Sequence, residues 1–318
     1  MDPESAPSMP IRSLAELLEE ARAVGPLPVV VAGAENDTAL AAVVHARRKR
    51  IAEVVLVGGE RGIRARLATL GEEPDRYRIV DAPGDVEAIR RAVALVRAGE
   101  AAVLMKGRVK TGDLLRVVLD RAEGLRAGRL LSDVLVAEHP LSEEPRLVGV
   151  TDGGVNVTPT LAQKREILAN AVALFQRLGV PRPRVACLCA VETVTPAMPH
   201  TMDAQALAEA NAAGELPGCV VSGPLALDNA LSEDAARAKG IDHPVAGRAD
   251  VLLVPTLETG NALGKAFTYL AKMPVAHVIV GARAPVLIPS RVERSEDKLC
   301  SIALGVVCAS RPPAEGAP

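Results

Sequence analysis

The sequence predicts an α/β protein built of two doubly wound domains with mostly parallel sheets, and three observations carry that expectation. Short β-branched runs recur at intervals of about 25 residues, each followed by a polar or glycine-bearing turn and an amphipathic stretch, which is the rhythm of β-α-β units. The intervening stretches carry helical stripes: over 161–178, Leu161, Ile167, Leu168, Ala171, Val172 and Phe175 fall on one face. The roughly ten strands implied strain a single open sheet, and 318 residues exceed a usual single core, so the chain is divided in two.

In order, the runs at 28–32, 53–57, 77–80, 102–105, 134–137 and 147–151 read as strands, and a second series follows at 184–190, 219–222, 250–254, 277–280 and 286–288. A stretch with Pro140, Pro145 and two adjacent glutamates interrupts them. The expected domains are therefore 1–140 together with 285–318, and 141–284. The run of cations ending at Arg50 closes a helix, where positive charge meets the negative end of the dipole.

Composition excludes several classes. Aromatic residues are 1% of the chain, with no Trp, so the stacking platforms of single-stranded nucleic-acid binders are missing, and a net charge of −2 argues the same way. No apolar run approaches the roughly 18 residues of a membrane span, and the first residues have no basic and apolar secretory pattern, so a cytoplasmic protein is expected. The five cysteines are widely scattered and form no disulfide framework. Cys187 and Cys189 alternate on one strand as small hydrophobes, with no second Cys or His pair to complete a metal site.

Nucleotide motifs fail on spacing. The glycines of GNALGKA, Gly260 and Gly264, stand one residue too close for a P-loop, and Ala266 replaces the required hydroxyl. The turn after the first strand holds a single glycine, Gly33, where a dinucleotide fingerprint needs three.

Four other turns hold more than a turn requires. After the strand at 102–105 come Lys106, Arg108 and Lys110, ahead of a helix expected to begin around Thr111, Gly112 and Asp113; three cations at a positive helix end call for an anion. Gly223, with Asp228 and Asn229 a little further on, follows the strand at 219–222. Glu258, Thr259, Gly260 and Asn261 follow the strand at 250–254, at the rim where open α/β sheets bind ligands. The fourth is PSRVERSED. Ser290 and Glu293 have capping-box spacing for the helix carrying Leu299, Ile302, Ala303 and Val306, Ser295 is a second possible cap, and Arg291 is left over, a planar fork suited to phosphate.

Taken together, KTGDLLR, GPLALDNA, ADVLLVP followed by ETGN, and GARAPV followed by SR resemble, in order and along nearly the whole chain, the phosphate acyltransferase family of phosphotransacetylases and phosphotransbutyrylases, with the later segments closer to the butyryl branch. The resemblance implies reversible acyl transfer between coenzyme A and inorganic phosphate. It also implies an isocitrate/isopropylmalate dehydrogenase-like pair of domains with the active site in the cleft between them. No metal or prosthetic group takes part, the protein is a homodimer or larger oligomer, and an acyl kinase consumes the acyl phosphate. By family match Ser290, Arg291 and Asp297 are catalytic, Asp297 as the base that activates the thiol. Lys106, Thr111, Arg116, Gly223, Asp228, Glu258, Thr259, Gly260, Asn261 and Arg283 are substrate-binding candidates. An acid in a helix's first turn is held as carboxylate, which works against its use as a base. The alternatives are acetyl transfer on the same scaffold and a metal- and NAD-dependent dehydrogenase of the isopropylmalate type, for which the sequence shows no acidic metal cluster.

Overall fold

The computed structural model of the chain describes residues 9–290 and 293–311. All eleven expected strands are present: β1 Leu27–Ala32, β2 Ala52–Gly58, β3 Arg78–Asp81, β4 Val103–Lys106, β5 Ser132–Glu138, β6 Leu147–Thr151, β7 Arg184–Leu188, β8 Val220–Leu225, β9 Val251–Leu253, β10 Val275–Val280 and β11 Val286–Leu287. The α-helices are α1 Leu14–Ala23, α2 Asp37–Arg48, α3 Glu60–Thr69, α4 Asp85–Arg97, α5 Thr111–Val118, α6 Leu161–Arg177, α7 Pro199–Ala212, α8 Leu227–Leu231, α9 Glu233–Ala238, α10 Leu257–Lys265 and α11 Ser295–Ser310.

The chain packs as two compact units. One comprises residues 15–131 and 275–310, with strands in the order β3-β2-β1-β4-β11-β10, parallel except where β10 meets β11. The other comprises, among the described residues, 9–14, 132–274 and 311, with strands β5-β6-β9-β7-β8, parallel except for β5 against β6. The limits drawn from the sequence assign 9–14, 132–140, 275–284 and 311 the other way. Pairing decides it: β5 is laddered to β6 over four residue pairs, and β10 pairs with β11.

In the six-strand unit Val29, Val30, Val31 and Ala32 of β1 are fully buried. The reason lies in their place at the middle of the sheet, where a strand covered on both faces becomes a continuous apolar run. Helix α11 is more deeply enclosed than its expected stripe: every residue from Asp297 to Cys308 is buried. Gly305 makes part of this possible, since a Cβ there would lie 3.1 Å from Val103 and 3.2 Å from Leu287, so the helix rests directly on β4 and β11. In the five-strand unit α6 opens with a complete capping box, Thr160 and Gln163 each satisfying the other's backbone amide. Its inner face buries Ile167, Leu168 and Phe175, and Phe175 fills the space over Gly149 of β6.

Two local expectations are corrected. Gly223 is not in a turn after its strand but inside β8, where a Cβ would come 2.6 Å from the Cβ of Cys187; its smallness serves the packing of β8 against β7. Of the two caps that the sequence offers the last helix, the Ser290 box is set aside: α11 begins at Ser295, beside the second.

Candidate active site

Because most strands in each unit run parallel, their C-terminal ends share a rim, and the loops that leave it carry most of the residues singled out above. In the six-strand unit, β11 lies parallel and adjacent to β4 with Val286 opposite Leu104 and Leu287 opposite Met105. The turn after β4 and the turn after β11 therefore leave neighbouring strands at one edge.

The β4 turn is locked by glycine. The amides of Gly107 and Arg108 donate to the carbonyls of Ala32 and Gly33 at 2.9 and 2.7 Å, and a side chain on Gly107 would run into the Gly33 carbonyl. Lys106, at the last position of β4, is 9% exposed, and its Nζ donates to the Gly107 carbonyl at 3.3 Å. Arg108 is paired with Asp85 at 2.7 Å. Helix α5 starts at Thr111, as expected, and no side chain caps it. Arg116 is 77% exposed and pairs with Asp113 one turn back, the geometry of a solvated helix face. Arg283 is occupied by its own unit: its Nε donates to the Arg126 carbonyl at 3.0 Å, bracing the loop that precedes β5.

In the β11 turn the Ser290 amide donates to Glu293 Oε1 at 2.7 Å, and the Ser290 carbonyl accepts the Glu293 amide at 3.3 Å. This is half of the anticipated capping box, made one turn ahead of the helix rather than at its start. Arg291 lies outside the described residues. Asp297 is 2% exposed: Oδ1 accepts the Val275 amide at 3.1 Å and Arg294 Nη2 at 3.0 Å, and Oδ2 accepts Arg294 Nε at 2.9 Å. These three donors tie the first turn of α11 to the first residue of β10. Burial pushes the neighbouring Glu293 carboxyl above the usual range, with the Ser290 amide, His277 and Lys298 pulling it back and Asp297 pushing it further up.

In the five-strand unit, Glu258, Thr259, Gly260 and Asn261 occupy the first turns of α10 rather than a free loop, and Thr256 caps that helix by accepting the Thr259 amide. Gly260 lies against the turn after β6: a Cβ on it would sit 2.8 Å from the Asp152 carbonyl and 2.8 Å from Gly153 Cα, and Asn261 Nδ2 donates to the Gly153 carbonyl at 3.3 Å. Asp228 belongs to a charged network in which Lys239 meets Asp228 at 3.3 Å and Glu192 at 2.6 Å, while Asn229 donates to Glu192.

Two acids at these rims carry no assignment from the sequence. Asp152, in the turn after β6, is 3% exposed and accepts from the amides of Gly154, Val155 and Asn156 and from the Asn156 side chain. Its burial raises the carboxyl's pKa against the pull of those amides. The signal for it was an Asp-Gly-Gly at a strand's end. Glu293 was visible only as a helix-cap acid.

Residues 85–306 match the family model described as Phosphate acetyl/butaryl transferase, well over half of the chain. The chain belongs to this family. It is an acyltransferase, and the dehydrogenase alternative is set aside. Among curated relatives of this phosphate acyltransferase, the phosphate acetyltransferase of Thermotoga maritima is 43% identical over 93% of this chain and 99% of its own. The probable phosphate butyryltransferase of Bacillus subtilis is 44% identical over 89% of this chain and 93% of its own. Among solved structures, a branched-chain phosphotransacylase from Enterococcus faecalis V583 superposes with a TM-score of 0.78 at 29% identity, covering 89% of this chain and 99% of that one. Among the described residues, no helix of the acyltransferase is long and apolar enough to cross a membrane.

Proposed function

We propose that this acyltransferase moves a short-chain, butyryl-like acyl group reversibly between coenzyme A and inorganic phosphate. The observation that carries the reading is the pairing of β4 with β11, which brings the cation-bearing turn of Lys106, Arg108 and Lys110 and the Ser290 turn to one sheet edge, where an anion has both to bind. In the acyl phosphate direction, the coenzyme A thiol gives up its proton and its sulfur attacks the acyl carbonyl carbon. A C–S bond forms, the C–O bond to phosphorus breaks with its electron pair, and the phosphate leaves carrying the proton. Ser290 donates a hydrogen bond as charge develops on the carbonyl oxygen, and Arg291 grips the phosphoryl oxygens. Thr111 and the Thr259–Asn261 turn contact substrate in this reading, which also carries with it the interdomain cleft, a homodimer, an acyl kinase that consumes the product, and a cytoplasmic setting.

The names of the relatives divide between acetyl and butyryl, so acetyl transfer is the second reading. One methylene is worth only ~1–3 kcal/mol of discrimination in an apolar pocket. The test is incubation with butyryl-CoA or acetyl-CoA and phosphate, without metal or NAD, following thiol release. Release that requires phosphate and is faster with butyryl-CoA is the expected result; no release with butyryl-, acetyl- or branched acyl-CoA overturns the reading. Arg291→Ala is expected to lower kcat/KM for phosphate by about a hundredfold, on the order of 2.7 kcal/mol of transition-state binding, and an unchanged value removes Arg291 from the site.

A further inference from the structure

We infer that Glu293 is a positioning residue of the transfer reaction, fixing the Ser290 turn through Oε1 while Oε2 keeps a proton. The inference rests on the role of Ser290 given above and names the acid that serves it.

Three observations converge. Ser290 and Glu293 are joined twice, by Ser290 N–H to Glu293 Oε1 at 2.7 Å and by Glu293 N–H to the Ser290 carbonyl at 3.3 Å. The Glu293 end is pinned to the helix, because Lys298 Nζ, on a residue 3% exposed, donates to the Glu293 carbonyl at 2.7 Å. Among the described residues Glu293 Oε2 is buried with no hydrogen-bond partner. A charged oxygen in that position is costly, whereas a protonated carboxyl leaves Oε1 free to accept from Ser290 and removes the charge from Oε2.

Asp297 offers a control on the same segment. Both of its oxygens accept, from Arg294 and from the Val275 amide, three donors in all. The groups facing Glu293 are His277 from β10 and Lys298 and Asp297 from α11; the two bases favour its charged form and Asp297 opposes it. Burial outweighs them and raises the carboxyl's pKa. As pH rises through that raised value the carboxyl ionises, Oε2 must turn toward water, and the Ser290 amide loses its acceptor.

The experiment compares wild type, Glu293→Ala and Glu293→Gln by kcat, KM for acyl-CoA and phosphate, pH profile and thermal melting. Alanine is expected to lower kcat about thirtyfold with KM moving less than about threefold, on the order of 2 kcal/mol confined to the transition state. Glutamine keeps the Oε1 acceptor and the neutral end, so it is expected to restore kcat to within about threefold of wild type and to abolish the fall that accompanies ionisation of the carboxyl as pH rises. A folded Glu293→Ala protein with wild-type kcat overturns the inference. So does a Glu293→Gln protein as impaired as the alanine variant, or one with the same fall. If the alanine variant does not fold, the glutamine profile alone decides. Absence of thiol release in the wild type overturns this inference together with the proposed function, whereas wild-type turnover combined with any of the contrary variant results overturns this inference alone.

Discussion

Asp152 and Glu293 are both enclosed acids in turns at the ends of strands, one in each unit, and burial raises the carboxyl pKa of both. They differ in what surrounds the second oxygen. Asp152 has three backbone amides and a side-chain amide shared over its two oxygens, so the turn from Gly153 to Asn156 is wrapped around it. Among the described residues, Glu293 has one amide on one oxygen and no partner on the other. The satisfied acid is a structural pin; the half-satisfied one has chemistry left over. Burial alone thus does not mark a working acid: the count of filled acceptor sites separates the two roles.

The sharpest way to break this contrast is Asp152→Ala, which strands several donors at once and is expected to cost about 3 kcal/mol of stability. Denaturant unfolding measures it, and a loss no larger than that of Glu293→Ala would erase the distinction. Asp297→Ala comes next, at about 2 kcal/mol, because the buried Val275 amide loses its acceptor while Arg294, 45% exposed, falls back into water. Its kcat per folded molecule is expected to stay within about threefold of wild type if the residue is a strut, and a fall of about a hundredfold would restore it as the base. Gly260→Ala forces a Cβ onto the Asp152 carbonyl and Gly153 and is expected to cost about 1–2 kcal/mol.

A pH series sharpens the contrast further. Since the folded pKa of Asp152 is raised, its contribution to stability is fully present below the unfolded carboxyl value and is lost as pH rises through the folded value. Asp152→Asn is expected to flatten that decline in the melting temperature. The smallest effect is Arg116→Ala, a change of roughly 0.3 kcal/mol or less for an exposed ion pair, with phosphate KM unchanged unless Arg116 binds substrate.

Much of the fold was legible before any coordinates. Apolar runs and helical stripes located all eleven strands because each is a local pattern imposed by burial on one element. In chain position the cations after β4 and Ser290 after β11 follow strand ends, whereas Glu258 to Asn261, expected in a turn, lie in the first turns of α10. What failed was local grammar with two meanings. Ser290 and Glu293 have the spacing of a helix cap, yet the helix starts at Ser295, and the Ser290 amide bonds the Glu293 carboxyl ahead of it. Gly223 has the look of a ligand-approach turn, yet its missing side chain makes room for Cys187 on the next strand.

The sequence by itself carried the resemblance to the phosphate acyltransferases, through KTGDLLR, GPLALDNA, ETGN and GARAPV followed by SR in order along the chain. It also determined the β-α-β rhythm, which depends only on near neighbours. The tertiary structure alone decided that β11 inserts between β4 and β10, so that residues some 180 positions apart share one sheet edge. It alone decided that Asp297 accepts from Arg294 and Val275 while, among the described residues, one oxygen of Glu293 has no partner. The reason is physical: whether a buried acid is a pin or a proton holder depends on which donors the folded chain brings to it, and those donors come from strands and turns that no local pattern connects.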